Sequence, residues 1–155
     1  MMEEKEKAWK TVSSKYLFRR PWLTVRCEDM LLPNGNHIPE YYILEYPDWV
    51  NTIAITKDGK FVFVRQYRPR LGRTSYELCA GVCDKEDASP LVSAQRELWE
   101  ETGYGKGNWQ EYMVISANPS THTNLTHCFL ATNVEPIDHQ LSLIHISEPT
   151  RHSLI

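Results

Sequence analysis

Ser89-Pro90-Leu91-Val92-Ser93-Ala94-Gln95-Arg96-Glu97-Leu98-Trp99-Glu100-Glu101-Thr102-Gly103 is the stretch on which the fold of this chain turns. Both of its ends are punctuated. A serine hydroxyl caps orphan N–H groups of a first helical turn, and proline at the next position loses nothing by lacking its own N–H. Gly103 stands where a helix stops in the left-handed conformation. Between these signals Leu91, Ala94 and Leu98 recur at helical spacing, so the pattern predicts a helix from Pro90 to Thr102 with those three residues on its packing face.

Glu97, Glu100 and Glu101 lie at i, i+3 and i+4 of this helix, which gathers three carboxylates on a face beside the packing one. Like charges so spaced repel by roughly a few tenths of a kcal/mol per pair. A solvated surface offsets that repulsion, and so does a cation. Carboxylate oxygens suit Mg²⁺ or Mn²⁺, ions that bridge protein and substrate phosphates. Spacing alone leaves both readings open.

Outward from the helix the chain reads as strands. On the N-terminal side come the polar loop Val82 to Ala88 and a short strand over Tyr76 to Ala80. Before them Val50 to Thr56 and Lys60 to Tyr67, rich in β-branched and aromatic residues, flank Lys57-Asp58-Gly59 and predict a hairpin. Lys15 to Tyr46 predicts a further hairpin or pair of strands, with Trp22, Leu23, Val25 and Met30 before a turn at Pro33 to Asn36 and Tyr41 to Leu44 after it. On the C-terminal side Glu111 to Ala117 and Leu125 to Val134 predict two more strands around the polar loop Asn118 to Asn124. One helix among many strands places the chain in the α+β class.

The 155 residues, 41% hydrophobic and 24% charged, suit one globular domain that buries roughly 70% of its unfolded surface. No apolar run reaches the length of a membrane span, and Met1 to Lys10 is charged with no apolar stretch behind it, so neither a span nor a signal peptide is expected and the cytoplasm is the default compartment. Cys27, Cys79, Cys83 and Cys128 show no paired metal-ligand spacing and read as reduced, mostly buried thiols. A net charge of -3 without a lysine or arginine cluster argues against a nucleic-acid partner and for small-molecule chemistry.

The segment from Gly81 through Arg96-Glu97-Leu98-Trp99-Glu100-Glu101-Thr102-Gly103-Tyr104 resembles the Nudix box, R-E-U-x-E-E-x-G-U after an upstream glycine. Its helical half matches fully. The loop between Gly81 and Arg96 is one residue longer than the family pattern, so the usual loop glutamate falls on Ala88, with Glu86 or Asp87 as substitutes after a shift. The resemblance implies a Nudix fold, a mixed β-sheet packed against the box helix with an extra N-terminal antiparallel strand region. It also implies that Glu97, Glu100 and Glu101 hold Mg²⁺ or Mn²⁺ with the Ala80 carbonyl, that Glu100 serves as ligand or base, and that Arg96 orients and neutralises the glutamates.

Resemblance extends from Lys15 to Asp138 and is closest to the ADP-ribose pyrophosphatase branch. Arg65-Gln66-Tyr67-Arg68-Pro69 and Tyr76-Glu77-Leu78-Cys79-Ala80-Gly81 are similar to the Q-[FY]-R-P and E-[LF]-P-A-G segments of that branch, with Cys79 where proline is usual. This implies that Arg68 contacts the pyrophosphate and brings in Glu77, Pro119 and Trp22 as substrate-binding candidates, the indole of Trp22 stacking on adenine. The plain alternatives are an exposed arginine at a hairpin end, a surface glutamate, a loop proline and a core tryptophan. His122 and His127, near the Asn118 to Asn124 loop, need no catalytic explanation. Relatives share the adenine pocket between two subunits, so a homodimer is implied, with Tyr41 or Tyr42 as the opposing aromatic wall.

The implied reaction is metal-dependent hydrolysis of ADP-ribose to AMP and ribose 5-phosphate. Two alternatives stand beside it: another Nudix substrate (a nucleotide sugar, an oxidised nucleoside triphosphate or a dinucleoside polyphosphate), or a non-catalytic ligand-sensing domain. Leu141 to Arg151, LSLIHISEPTR, resembles a translated sequencing adapter. Residues 1–140 are therefore expected to be a single, C-terminally truncated Nudix domain and 141–155 a non-native tail, the alternative being a genuine terminal strand. Relatives carry a catalytic glutamate beyond the last strand read here. Losing a general base costs roughly 10²- to 10⁴-fold in rate, so slow turnover is expected.

Overall fold

A computed structural model of the chain describes residues 7–137 and the backbone of 151–154. Most of the adapter-like stretch, Leu141 to Thr150, lies outside the described residues. Two compact units emerge, Met1–Tyr46 with Ser116–Asn124, and Pro47–Ile115 with Leu125–Ile155.

The first unit is an antiparallel sheet of β1 (Lys10–Arg20), β2 (Leu23–Leu31) and β3 (His37–Glu45), in that order. The expected hairpin is β2 and β3, turning where Gly35 takes a φ of 85°. β1 is an addition to that expectation. Every residue along it is exposed, so it carries no alternation of buried and polar positions by which a strand is read. Residues 116–124 join this unit through Leu44, whose N–H donates to the Thr121 carbonyl at 2.8 Å and whose own carbonyl accepts from Thr123 at 3.1 Å.

The second unit holds a mixed sheet. Its strands are β4 (Trp49–Thr56), β5 (Phe61–Arg68), β6 (Arg73–Glu77), β7 (Cys79–Val82), β8 (Tyr104–Gly105), β9 (Asn108–Ile115), β10 (Thr126–Pro136) and β11 (Arg151–Leu154). The path runs β11-β5-β4-β10-β8, with β6 on β5, β7 on β4 and β9 on β10. β10 and β4 are parallel and the other pairs antiparallel. Along β4 burial alternates, Val50, Thr52, Ala54 and Thr56 turning inward, as the period of two requires for a sheet covered on one face. The single strand expected over Tyr76 to Ala80 is two, because the chain changes neighbour at Leu78, leaving β5 for β4.

The covering element is α1 (Pro90–Thr102), with the bounds the sequence predicts. Ser89 is extended at φ -166° and its hydroxyl accepts from the Val92 N–H at 3.4 Å. Gly103 takes a φ of 74° and donates to the Trp99 carbonyl at 2.8 Å. Leu98 packs with Ala54, Val62, Cys79, Tyr104, Ala131 and Val134, and Ala94 with Val50 and Phe129. Leu91, expected on the packing face, is 36% exposed in the first turn; Ser93 and Thr102 are buried instead. At ~100° per residue, Glu97 and Glu101 project between the directions of Ser93 and Ala94, inside the buried arc, and Glu100 at its margin. Among the described residues no helix is long and apolar enough to cross a membrane.

Candidate active site

β7 and α1 set the positions of the carboxylates. An ideal Cβ on Gly81 would meet the Glu97 carboxyl group at 2.0 to 2.3 Å, so this carboxylate occupies the space that the missing side chain leaves beside the strand. One turn on, Glu101 accepts from the backbone N–H of Ala80 at 3.3 Å and from the thiol of Cys79. Burial raises the pKa of Glu97, against the pull of Arg96, and Glu101 and Glu100 add to the rise. Burial likewise raises that of Glu101, while Cys79, the Ala80 N–H and Arg68 act the other way. Glu100 is more open, its side chain 38% exposed, and it is paired with Arg96 at 3.1 Å.

Arg96 organises this end of the helix. Its Nη1 donates to Glu97 at 2.9 Å and to Glu100 at 3.1 Å. Its Nη2 donates to the Val82 carbonyl and to Asp87, both at 3.0 Å, and lies 3.2 Å from Asp84. Nε reaches Asp87 as well, at 3.2 Å. The arginine holds the Asp87 carboxyl below its ordinary pKa. Of the three positions 86 to 88, Asp87 and not the exposed Glu86 or Ala88 engages the helix, alongside Asp84. The Val82 carbonyl and Asp84 were not foreseen, since a backbone acceptor leaves no mark on a sequence.

Glu97 and Glu101 suit a divalent cation, being half-buried oxygen donors whose charges burial and mutual repulsion penalise. Among the described residues no three acidic, histidine or cysteine side chains already close on one point. Arg96 spans Glu97 and Glu100 in that place, so cation binding draws on their remaining oxygens.

Arg68 and Glu77, candidates taken separately from the sequence, form an ion pair along the β5–β6 hairpin, although the ladder sets Glu77 opposite Val64 and Arg68 opposite Arg73. The Nε and Nη2 of Arg68 both donate to the Glu77 carboxylate, which lowers its pKa. Arg68 also lies within electrostatic reach of Glu101. Trp22 and Pro119 belong to the first unit. Trp22 is 84% exposed, which removes the core-packing alternative, and Pro119 is exposed in a turn where the His122 N–H donates to the Asn118 carbonyl at 2.9 Å. Tyr41 donates to the Ser120 carbonyl and stands edge-on to Trp9 at 5.9 Å, while Tyr42 donates to Glu40. His127 is bracketed by Glu111 at 2.7 Å and Asp48 at 3.4 Å.

Residues 46–146 match the NUDIX domain, and residues 9–44 match the nucleoside diphosphate sugar hydrolase N-terminal domain. The chain belongs to the Nudix hydrolase family. Within Nudix proteins it is 31% identical over 134 residues to an ADP-ribose pyrophosphatase of Bacillus subtilis, covering 86% of this chain and 71% of that one. It is 33% identical over 122 residues to a methanol dehydrogenase activator of Bacillus methanolicus, covering 79% and 65%. An ADP-ribose pyrophosphatase of Mycobacterium tuberculosis is 28% identical over 132 residues, covering 85% and 63%. The chain thus spans somewhat under two thirds of the length of the last two relatives. A solved ADP compounds hydrolase superposes with a TM-score of 0.80 at 21% identity over 94% of this chain and 77% of that one, which establishes the Nudix fold.

Proposed function

We propose that this Nudix protein hydrolyses the pyrophosphate linkage of ADP-ribose, releasing AMP and ribose 5-phosphate, with Mg²⁺ or Mn²⁺ as cofactor. The observation that carries the reading is the pair of half-buried carboxylates, Glu97 against Gly81 and Glu101 on the Ala80 N–H, set beside the Arg68 guanidinium. Two negative groups beside a cation suit a site that receives metal and phosphate together. The likeness to two ADP-ribose pyrophosphatases supports the choice of substrate.

Glu97, Glu101 and Glu100 would hold the cation with the Ala80 carbonyl. A bound divalent cation polarises phosphoryl oxygens and lowers the pKa of the attacking water. Arg96 aims Glu97 and Glu100, its fork also tying the helix to the Val82 carbonyl and Asp87. Arg68, held by Glu77 and with its side chain 47% exposed, presents positive charge to the diphosphate. By resemblance to the ADP-ribose pyrophosphatases, Trp22 and Pro119 of the first unit are the further substrate-binding candidates, the exposed indole offering a face on which adenine can stack. A homodimer and a reducing, cytoplasmic setting belong to the same reading, the latter supported by four free cysteines.

Product analysis tests this directly. ADP-ribose with Mg²⁺ should give AMP and ribose 5-phosphate in equal amounts, and Glu97→Gln or Glu101→Gln should abolish it. No release from ADP-ribose alongside cleavage of GDP-mannose would transfer the assignment to a second nucleotide sugar, the substrate named for relatives 34% identical over 82 residues.

A further inference from the structure

β7 and α1 meet in matched steps. Two residues along a strand advance about 6.6 Å and four along a helix about 6 Å, so alternate positions of the one can face successive turns of the other. Cys79 and Gly81 share a face of β7, and Cys79 is buried there beneath α1 in the cluster of Leu98. Gly81 lies against the Glu97 carboxyl group. Four helical residues on, Glu101 accepts from the Ala80 N–H at 3.3 Å and from the Cys79 thiol. Strand and helix therefore run in opposite directions here, with Glu97 seated at Gly81 and Glu101 at Cys79.

The two seats are held differently. Arg96 donates to Glu97 and to Glu100, whereas the hydrogen-bond donors of Glu101 among the described residues are the Ala80 N–H and the Cys79 thiol. One backbone N–H fixes one carboxylate oxygen and leaves the group free to turn about that contact; a second donor removes the freedom. The sulfur is suited to this. Cys79 is 1% exposed and packed with Ala54, Val62 and Leu98, so it has little room to swing away. Burial first, and then the charge of Glu101, raise its pKa, so the thiol keeps its proton and donates. Proline, usual at this position in the ADP-ribose pyrophosphatase branch, has no side-chain donor, and the restraint is particular to Cys79.

We propose that Cys79 is a positioning residue, whose thiol fixes the rotation of the Glu101 carboxylate and so sets how tightly the carboxylate face holds a divalent cation. This rests on the reading that Glu101 is a cation ligand. Groups that hydrogen-bond a ligating carboxylate tune its hold on the metal without touching the metal themselves.

The test is titration of the full chain with Mn²⁺ in the absence of nucleotide, the free ion being counted by electron paramagnetic resonance. Cys79→Ala should weaken Mn²⁺ by roughly tenfold, the lower end of what losing a hydrogen bond behind a metal ligand costs. Cys79→Ser restores a donor and should bind Mn²⁺ as the parent does. Cys79→Val and Cys79→Thr repeat the comparison with the space filled, and keep the test in force where alanine unfolds the chain. A packing role alone would move the members of each pair alike. The proposal is overturned if Cys79→Ala and Cys79→Val bind Mn²⁺ as tightly as the parent, or if the hydroxyl variants are weakened as much as they are. Glu101→Gln and ADP-ribose turnover separate this inference from the hydrolase reading. Mn²⁺ binding lost in Glu101→Gln but indifferent to Cys79 sinks the positioning role alone. Cys79-dependent Mn²⁺ binding without release of AMP from ADP-ribose sinks the proposed reaction and spares the positioning role, and a parent chain that binds no Mn²⁺ removes both.

Discussion

The Glu97 carboxylate lies where a methyl group on Gly81 would sit, at 2.0 to 2.3 Å from the ideal Cβ position. Since the obstructing atoms end a flexible side chain, Gly81→Ala should displace Glu97 and spare the backbone. Thermal melts of this variant should stay close to those of the parent while kcat for ADP-ribose falls by about 10²-fold, the usual consequence of misplacing a reacting group by about an ångström. A variant that unfolds, or that keeps full activity, would show the close approach to be incidental. Asp87 lends itself to a pH experiment. Its pKa is lowered by hydrogen bonding to Arg96 first and to Ser93 second. A carboxyl depressed in the folded state stabilises the fold at pH values above its unfolded pKa, near about 4, and that contribution is lost as pH falls through the folded value. Asp87→Asn should therefore lower the urea midpoint at neutral pH, and the gap should narrow as acidification carries the pH below the unfolded value and through the lowered folded one. A gap independent of pH would mean that Asp87 acts through packing alone.

At the scale of elements the helix is held at its C-terminal end by a backbone conformation. Gly103 has a φ of 74°, and nothing lies within 4 Å of a Cβ built there. Gly103→Ala should cost ~1–2 kcal/mol in urea unfolding, purely as left-handed strain, and leave the KM for ADP-ribose unchanged. Helix bounds were legible because Ser89, Pro90 and Gly103 act on their immediate neighbours. The β6–β7 division was not, because Leu78 breaks the strand only by virtue of which neighbours lie alongside. The glutamates were legible by spacing, but their half-burial depends on β7 beside them, and the fork of Arg96 on Val82 and Asp87 depends on how the preceding loop returns to the helix. The expectation that the chain has no arginine cluster weighed the whole-chain charge and missed Arg65, Arg68, Arg70 and Arg73, which one hairpin gathers.

For the molecule as a whole, the two units differ in how they are stabilised. The second encloses two apolar clusters. Among the described residues the first buries only Cys27, Glu28 and Asn124, yet exposes Val12, Tyr16, Leu17 and Phe18 on β1 and Trp22 after it. A three-stranded sheet with so small a core gains from covering its exposed apolar residues. A second copy of the same sheet is the simplest cover, since a two-fold axis presents one patch to itself and a stable dimer needs about 800 Å² from each partner. Sedimentation equilibrium should then give twice the chain mass, and Phe18→Asp, which drives a carboxylate into that interface, should shift it to the monomer without loss of sheet signal in circular dichroism. Val114→Asp supplies the contrast, because β9 also exposes Tyr112, Met113, Val114 and Ile115 but belongs to the unit with its own core. Dissociation by Val114→Asp and not by Phe18→Asp would move the interface to β9, and a parent chain that sediments as a monomer at every concentration would remove the dimer altogether.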